Sequence, residues 1–201
     1  KRQSCLLPAL VPHFHTVQAE SIELLRAVSA VPGIAQVRMA SGIRYDLGLS
    51  EPGALRAYIR EFTGGQLKVA PEHISEAVLC LMRKPGPAAL DAFLRFFNEA
   101  CAGEERYVVP YLMSAYPGCT DADMRRLADW LKTRGWRPQQ VQCFIPTPGT
   151  VATAMFYCGQ DAHGRVIPVA RTDAERLRQH AILAGESAER RGSGSLKGLS
   201  P

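Results

Sequence analysis

Along most of this chain, segments with a helical period alternate with short apolar segments of strand character, and Pro or Gly marks nearly every junction. Ile22, Leu24, Leu25 and Val28 fall on one helical face between Ser21 and Val28, Pro32-Gly33 stops that helix, and Gln36-Val37-Arg38-Met39-Ala40 reads as a strand. Ala54 to Phe62 is helical again, Gly64-Gly65 ends it, and Gln66-Leu67-Lys68-Val69-Ala70 runs extended into Pro71. Ser75 can cap a short helix through Lys84, and Pro87 can start another that turns Leu90, Phe93, Leu94 and Phe97 inward. A third strand, Tyr107–Met113, lacks alternation, as a strand covered on both faces does. Thr120 and Asp123 form a near capping box for a helix over Asp121–Arg134, and Val141–Ile145 is the fourth strand. Strands alternating with helices on this spacing predict right-handed βαβ units and a parallel sheet or barrel, an α/β fold.

After Val151 the pattern degrades, with one more helix expected over Arg171–Leu183 and a loose tail beyond it. The domain reading is therefore residues 1–150 as the main α/β part, 151–184 as an extension and 185–201 as a disordered tail. Composition agrees with a packed domain, since 46% of residues are hydrophobic and 21% charged. The longest apolar stretches fall far short of the roughly 20 residues a membrane helix needs, so no membrane association is expected. The chain starts at Lys1 with no signal-peptide pattern, and it is read as a fragment. Six cysteines are scattered singly, without C-x-x-C pairs, which points to a reducing, cytoplasmic setting. The net charge of +5 draws on a late arginine-rich stretch that can favour polyanions or, interrupted by Asp173, Glu175, Glu186 and Glu189, can be a solvated helix face and a loose tail.

In parallel βα folds the working groups sit in the loops that leave the strand C-termini. Here these loops read Ser41-Gly42-Ile43-Arg44-Tyr45-Asp46, Ala70-Pro71-Glu72-His73, Ser114-Ala115-Tyr116-Pro117-Gly118-Cys119 and Ile145-Pro146-Thr147-Pro148-Gly149-Thr150. Ser41 and Arg44 can hold a carboxylate or phosphate, or Arg44 can simply pair with Asp46. Glu72 and His73 can act as acid and base or bind hydroxyls and amines, or form a structural pair. The Pro-Gly strings can be rigid turns and nothing more. His13-Phe14-His15 has no second ligand cluster near it, so no metal site is assigned. Cys119 stands near a helix N-terminus, but with no evident base it reads as inert. No G-x-x-x-x-G-K, G-x-G-x-x-G or G-x-S-x-G motif is present.

Taken in order, the four loops resemble the second half of a radical S-adenosylmethionine (radical SAM) barrel. Tyr116-Pro117-Gly118-Cys119-Thr120 matches the place of that family's F-P-G-E-T, and Pro146-Thr147-Pro148-Gly149-Thr150-Val151-Ala152 that of its R-P-G-T-x-A. More narrowly, Ser41–Asp46, Val69-Ala70-Pro71-Glu72-His73 and Phe144–Thr150 resemble the YgiQ-type radical SAM proteins, with similarity from about Lys1 to His180. The resemblance implies a partial (β/α)6 TIM-like barrel of which this chain holds approximately strands 3–6. It implies a 4Fe-4S cluster on a C-x-x-x-C-x-x-C loop, which this chain lacks, so the chain alone is expected to be inactive and to carry none of the cluster ligands. It further implies S-adenosylmethionine as cofactor, an external electron donor, a 5′-deoxyadenosyl radical and an unknown substrate. Ser41, Arg44, Glu72, His73, Ser114 and Pro146 are the cofactor-binding positions it suggests. Two other readings stand beside it. One is a basic α/β module that binds nucleic acid or protein without catalysis, although the sequence reading finds no aromatic-interleaved basic motif to support it. The other is an unrelated barrel enzyme using Glu72 and His73 as acid and base.

Overall fold

The run with apolar residues on both sides, Tyr107–Ser114, becomes the middle strand of a three-stranded parallel sheet in the computed structural model. The structure describes residues 5–6 and 9–192, the side chains of 184–192 excepted. In chain order the elements are α1 (Ala19–Ser29), α2 (Tyr45–Gly48), α3 (Pro52–Ala57) running into a π-helical turn (Tyr58–Phe62), and β1 (Gln66–Glu72). Then come α4 (Glu76–Met82), α5 (Pro87–Ala100), β2 (Tyr107–Ser114), α6 (Asp121–Thr133), β3 (Gln140–Cys143), α7 (Val151–Cys158) and α8 (Asp173–Gly192). The sheet order is β1-β2-β3, each crossover passes through helices, and the fold is α/β as the alternation predicts. The chain divides into two compact units, Lys1–Tyr111 and Leu112–Pro201, the division falling within the residues of β2. Among the described residues no helix is long and apolar enough to cross a membrane.

In the first unit β1 alternates buried and half-buried positions, and Leu67 and Val69 are buried along with Leu55, Ile59, Leu79, Leu90 and Phe93. Pro87 does open α5, and of the expected inward residues Leu90, Phe93 and Phe97 are buried and Leu94 is half-buried, with the Phe93 ring 5.7 Å from that of Tyr45. Two expectations need correction. Among the described residues Gln36–Ala40 joins no ladder: Met39 N–H donates to Phe62 O (2.9 Å), and this stretch of chain pairs with β1 through a single parallel bridge, Ile43 to Val69. The chain turns into α2 at Tyr45, so the pairing ends before a strand can form. Of the apolar residues assigned to the first helix face, Ile22 is buried while Leu24 is 64% exposed. What anchors α1 is polar. The Glu51 carboxylate accepts the N–H groups of Gln18 (2.9 Å) and Ala19 (3.3 Å), and Arg26 makes a forked pair with Glu61.

The last carbonyls of a helix have no partner within it, and here that last turn is π-helical. Arg106, just before β2, supplies donors: Nη1 to Ile59 O and Thr63 O, and Nη2 to Arg60 O (2.9 Å), while Glu104 accepts from Nε (3.0 Å). The Arg106 side chain is 11% exposed, so water does not readily replace it.

In the second unit α6 starts as the capping box predicts. Asp123 N–H donates to Thr120 Oγ1 (3.2 Å) and Thr120 N–H to Asp123 Oδ2 (3.0 Å), and Met124, Leu127 and Leu131 are buried. The degraded stretch after Val151 is a helix, α7, whose N-cap Thr150 accepts the Thr153 N–H (3.2 Å) and whose C-cap is the left-handed Gly159. Its apolar content shows no clear helical period, and the two caps were the readable signal. The backbone of α8 runs to Gly192, into the stretch expected as a tail, and 193–201 lie outside the described residues. Cys119, next to the capping box, is buried. Burial, with the Asp123 and Asp121 carboxylates adding to it, pushes its thiol up to about 12, so desolvation outweighs the helix N-terminus.

Arg106→Ala is expected to lower the free energy of unfolding by about 2–4 kcal/mol, because buried carbonyls lose charged donors, with Arg106→Lys falling between. Urea denaturation measures this, and an unchanged midpoint for Arg106→Ala would mean that solvent satisfies those carbonyls. In the native protein at about pH 8, a thiol reagent is expected to label the exposed Cys5, Cys80 and Cys158 and to spare Cys119 and Cys101 until the protein is unfolded. Peptide mass mapping reads the pattern, and rapid native labelling of Cys119 would contradict its burial.

Candidate functional site

β1 does not run straight out of the sheet. Glu72, its last residue, has φ 64, a left-handed conformation unusual for a residue with a side chain, and the His73 N–H donates back to Pro71 O at 2.8 Å. That is a γ-turn hydrogen bond around Glu72, a strained geometry that the surroundings must hold in place. Lys84 does so: its Nζ donates to Ala70 O (2.6 Å) and to Glu72 Oε1 (3.1 Å). Lys84 reaches this point because Arg83, at φ 56, is a left-handed C-cap for α4, and the Lys84 N–H returns to Leu79 O (2.9 Å). The two side chains of the pair are 21% and 19% exposed, partly screened yet open on one side.

The other residues of this exit separate by role. His73 is buried, and its Nδ1 accepts the N–H groups of Ile74 and Ser75, both at 2.9 Å. The imidazole thus closes the entry to α4, where Ser75 caps nothing with its own side chain. Arg44 makes a forked pair with Asp46, Nε to Oδ1 at 2.8 Å and Nη2 to Oδ2 at 2.6 Å, which is the local pairing the sequence left open. Tyr45 between them is buried, and burial first, then the Asp46 charge, pushes its phenol up to about 12, with Glu72 contributing in the same direction. Arg44, Asp46, Tyr45 and Glu72 therefore share one electrostatic neighbourhood. Ser41 is exposed one residue before Gly42.

The second unit has a similar strand exit. Ala115, directly after β2, has φ 58, and its N–H donates to Gln179 Oε1 (3.1 Å). Gln179, buried on α8, also donates through Nε2 to Cys119 O (3.0 Å). Ser114 is fully buried, its carbonyl accepts the Phe144 N–H (2.8 Å), and its Oγ lies 3.2 Å from His180 Nδ1. Arg176 Nη2 donates to Phe144 O (2.8 Å), and Arg178 Nε to Asp121 (2.7 Å). One helix, α8, thus takes up the polar groups that β2 and β3 leave open. Pro146 is half-buried in a turn organised by threonines, in which Thr150 Oγ1 and Thr153 Oγ1 donate to Thr147 O (2.9 and 2.7 Å).

Sequence reasoning did not single out Lys84, Tyr45, Gln179 or His180. Lys84 was visible only as a helix end, and Gln179-His180 lie in a polar helical run whose distant partners no local pattern announces. Among the described residues no group of three or more His, Cys, Asp or Glu is gathered to hold a metal ion.

Residues 139–189, from β3 into α8, match a family described as a domain of unknown function (DUF3362). Across almost its whole length the chain is similar to curated relatives called UPF0313 proteins. One from Geobacter sulfurreducens is 45% identical over 186 residues, covering 91% of this chain and 31% of the relative. One from Shewanella oneidensis is 39% identical over 191 residues and 24% of its length is covered; one from Pseudomonas syringae pv. tomato is 38% identical with 25% covered. The chain thus spans about a quarter to three tenths of these relatives. With 38–45% identity maintained across 91% of its length, the chain belongs to the UPF0313 family, the YgiQ family.

Proposed function

We propose that this chain is part of a radical SAM enzyme, acting in a longer polypeptide on a substrate still unknown. The observation that supports it most is Glu72. It is a carboxylate at a strand C-terminus, in a strained left-handed turn braced by Lys84, inside a string that resembles the family's fourth strand. Backbone strain of this kind costs about 1–3 kcal/mol and tends to persist where a side chain must be aimed.

The chain's residues fit S-adenosylmethionine in part. Glu72 offers carboxylate oxygens for an ammonium or ribose hydroxyls, and Arg44 offers a guanidinium that Asp46 orients in a fixed plane. His73 is turned to the backbone of α4 and Ser114 to His180, so their part is to shape the exits. The residues described here do not fit the cluster, which in this reading is held by residues outside this chain. When bound to a reduced cluster, S-adenosylmethionine supplies a 5′-deoxyadenosyl radical for hydrogen abstraction, with the electron coming from an external donor. The work of this chain is to bind and orient. Glu72 holds a cationic or hydroxyl group, Lys84 keeps Glu72 in its turn, Arg44 faces an anionic group, and Tyr45, with its phenol pushed up to about 12, stays uncharged.

The longer protein, reconstituted anaerobically with iron and sulfide and then reduced, is expected to form 5′-deoxyadenosine from S-adenosylmethionine. A fully loaded protein that forms none would end the proposal. In the same protein Glu72→Gln is expected to weaken S-adenosylmethionine binding about ten-fold by calorimetry with cluster content unchanged, as loss of a charged hydrogen bond does. Unaltered affinity would confine Glu72 to a structural role.

A further inference from the structure

At the far end of α6 the structure gathers aromatic and basic side chains. The string is Trp130-Leu131-Lys132-Thr133-Arg134-Gly135-Trp136-Arg137, and it contains the only two tryptophans of the chain. Leu131 is buried, while Trp130 and Trp136 are partly exposed and Lys132, Arg134 and Arg137 are exposed. The helix ends in a left-handed Gly135 (φ 64), with the Trp136 N–H returning to Leu131 O at 2.9 Å. That reversal folds Trp136 back against the last turn. Its ring stands edge-on to Trp130, 88° between planes and 5.7 Å between centroids, and the Arg134 guanidinium lies 4.1 Å from the centre of the Trp130 ring.

Charge surrounds the rings unevenly. Arg126 and Arg134 stand four residues before and after Trp130, which puts all three on one face of α6, and Arg137 follows Trp136. Asp129, the exposed acid of this turn, is rotated about 100° away from Trp130. Indole rings are usually well buried, so two of them left partly open and ringed by cations form a surface of specific chemistry.

We infer that the C-terminal turn of α6, through Trp130, Arg134, Trp136 and Arg137, is a binding site for single-stranded nucleic acid. Such a strand offers a flat π-face and a phosphate at every nucleotide, which matches rings and guanidinium groups set side by side. A duplex keeps its base faces stacked internally and offers the rings nothing. Arg137, exposed directly after Trp136, carries a planar guanidinium whose N–H donors suit phosphate oxygens. This inference is independent of the proposed radical chemistry, since none of these residues lies at a strand exit.

Because both tryptophans are in the site, intrinsic tryptophan emission of the chain reports on it alone. Titration with a single-stranded oligouridine of about 15 nucleotides is expected to quench that emission, whereas a duplex of equal length leaves it unchanged. Raising salt from about 50 to 200 mM should weaken binding roughly twenty-fold, the slope for about three phosphates on a single strand. Trp136→Ala should weaken binding about ten-fold, read from the remaining Trp130. Arg137→Glu, at an exposed position, should weaken it and flatten the salt dependence, with circular dichroism checking the fold of both. No quenching up to about 100 μM oligonucleotide, equal quenching by duplex, or full affinity in Arg137→Glu would each overturn the inference and return the patch to a protein contact.

Discussion

Parallel strands cannot be joined by tight hairpins, so each strand end must hand the chain to a helix while its last backbone groups find partners elsewhere. In this protein that requirement shapes both units. In the first, the Ala70 carbonyl and the Glu72 carboxylate converge on Lys84, and the α4 entry is satisfied by the His73 ring. In the second, Arg176, Gln179 and His180 of α8 meet the groups left open by β2 and β3. Without these partners the left-handed residues Glu72 and Ala115 would have little to hold them.

The same polar groups divide into those committed to structure and those with capacity for a ligand. His73 Nδ1 already accepts two backbone N–H groups, and Ser114 is fully buried against His180. Glu72 and Arg44 differ. Each is paired, yet each pair is partly open to solvent, so a charge remains where a polar small molecule can reach it. An ion pair of this kind contributes modestly to stability and more to fixing the direction of its members. The chain covers 24–31% of the length of these relatives.

The helix starts at Pro87 and Thr120 were legible, as were the β2 run and the long helix of the second unit, because caps and periods act over a few residues. The first expected strand failed for the complementary reason. Gln36–Ala40 has strand composition, but a strand exists only where a neighbour pairs with it, and α2 takes the chain away after one bridge. Likewise the Arg44–Asp46 pairing was readable as one of two options, being two residues apart, whereas Lys84 and Glu72 are twelve apart and their meeting depends on a left-handed turn at Arg83. The tryptophan pair is not legible locally, because the last turn of a helix looks like its middle until Gly135 reverses the chain.

By itself the sequence determined that helices and strands alternate, that the sheet is parallel, where α4, α5 and α6 begin, and which loops leave the strands, since periodicity, caps and Pro-Gly punctuation are local properties. Tertiary structure alone decided which candidates in those loops are inward structural acceptors and which keep an open charge. It also decided that Lys84 braces Glu72 and that α8 closes the exits of the second unit. Those outcomes rest on hydrogen bonds between residues tens of positions apart, such as Ser114 with His180, 66 residues away. A partner at that distance is set by how the chain crosses between parallel strands, which no window of neighbouring residues contains.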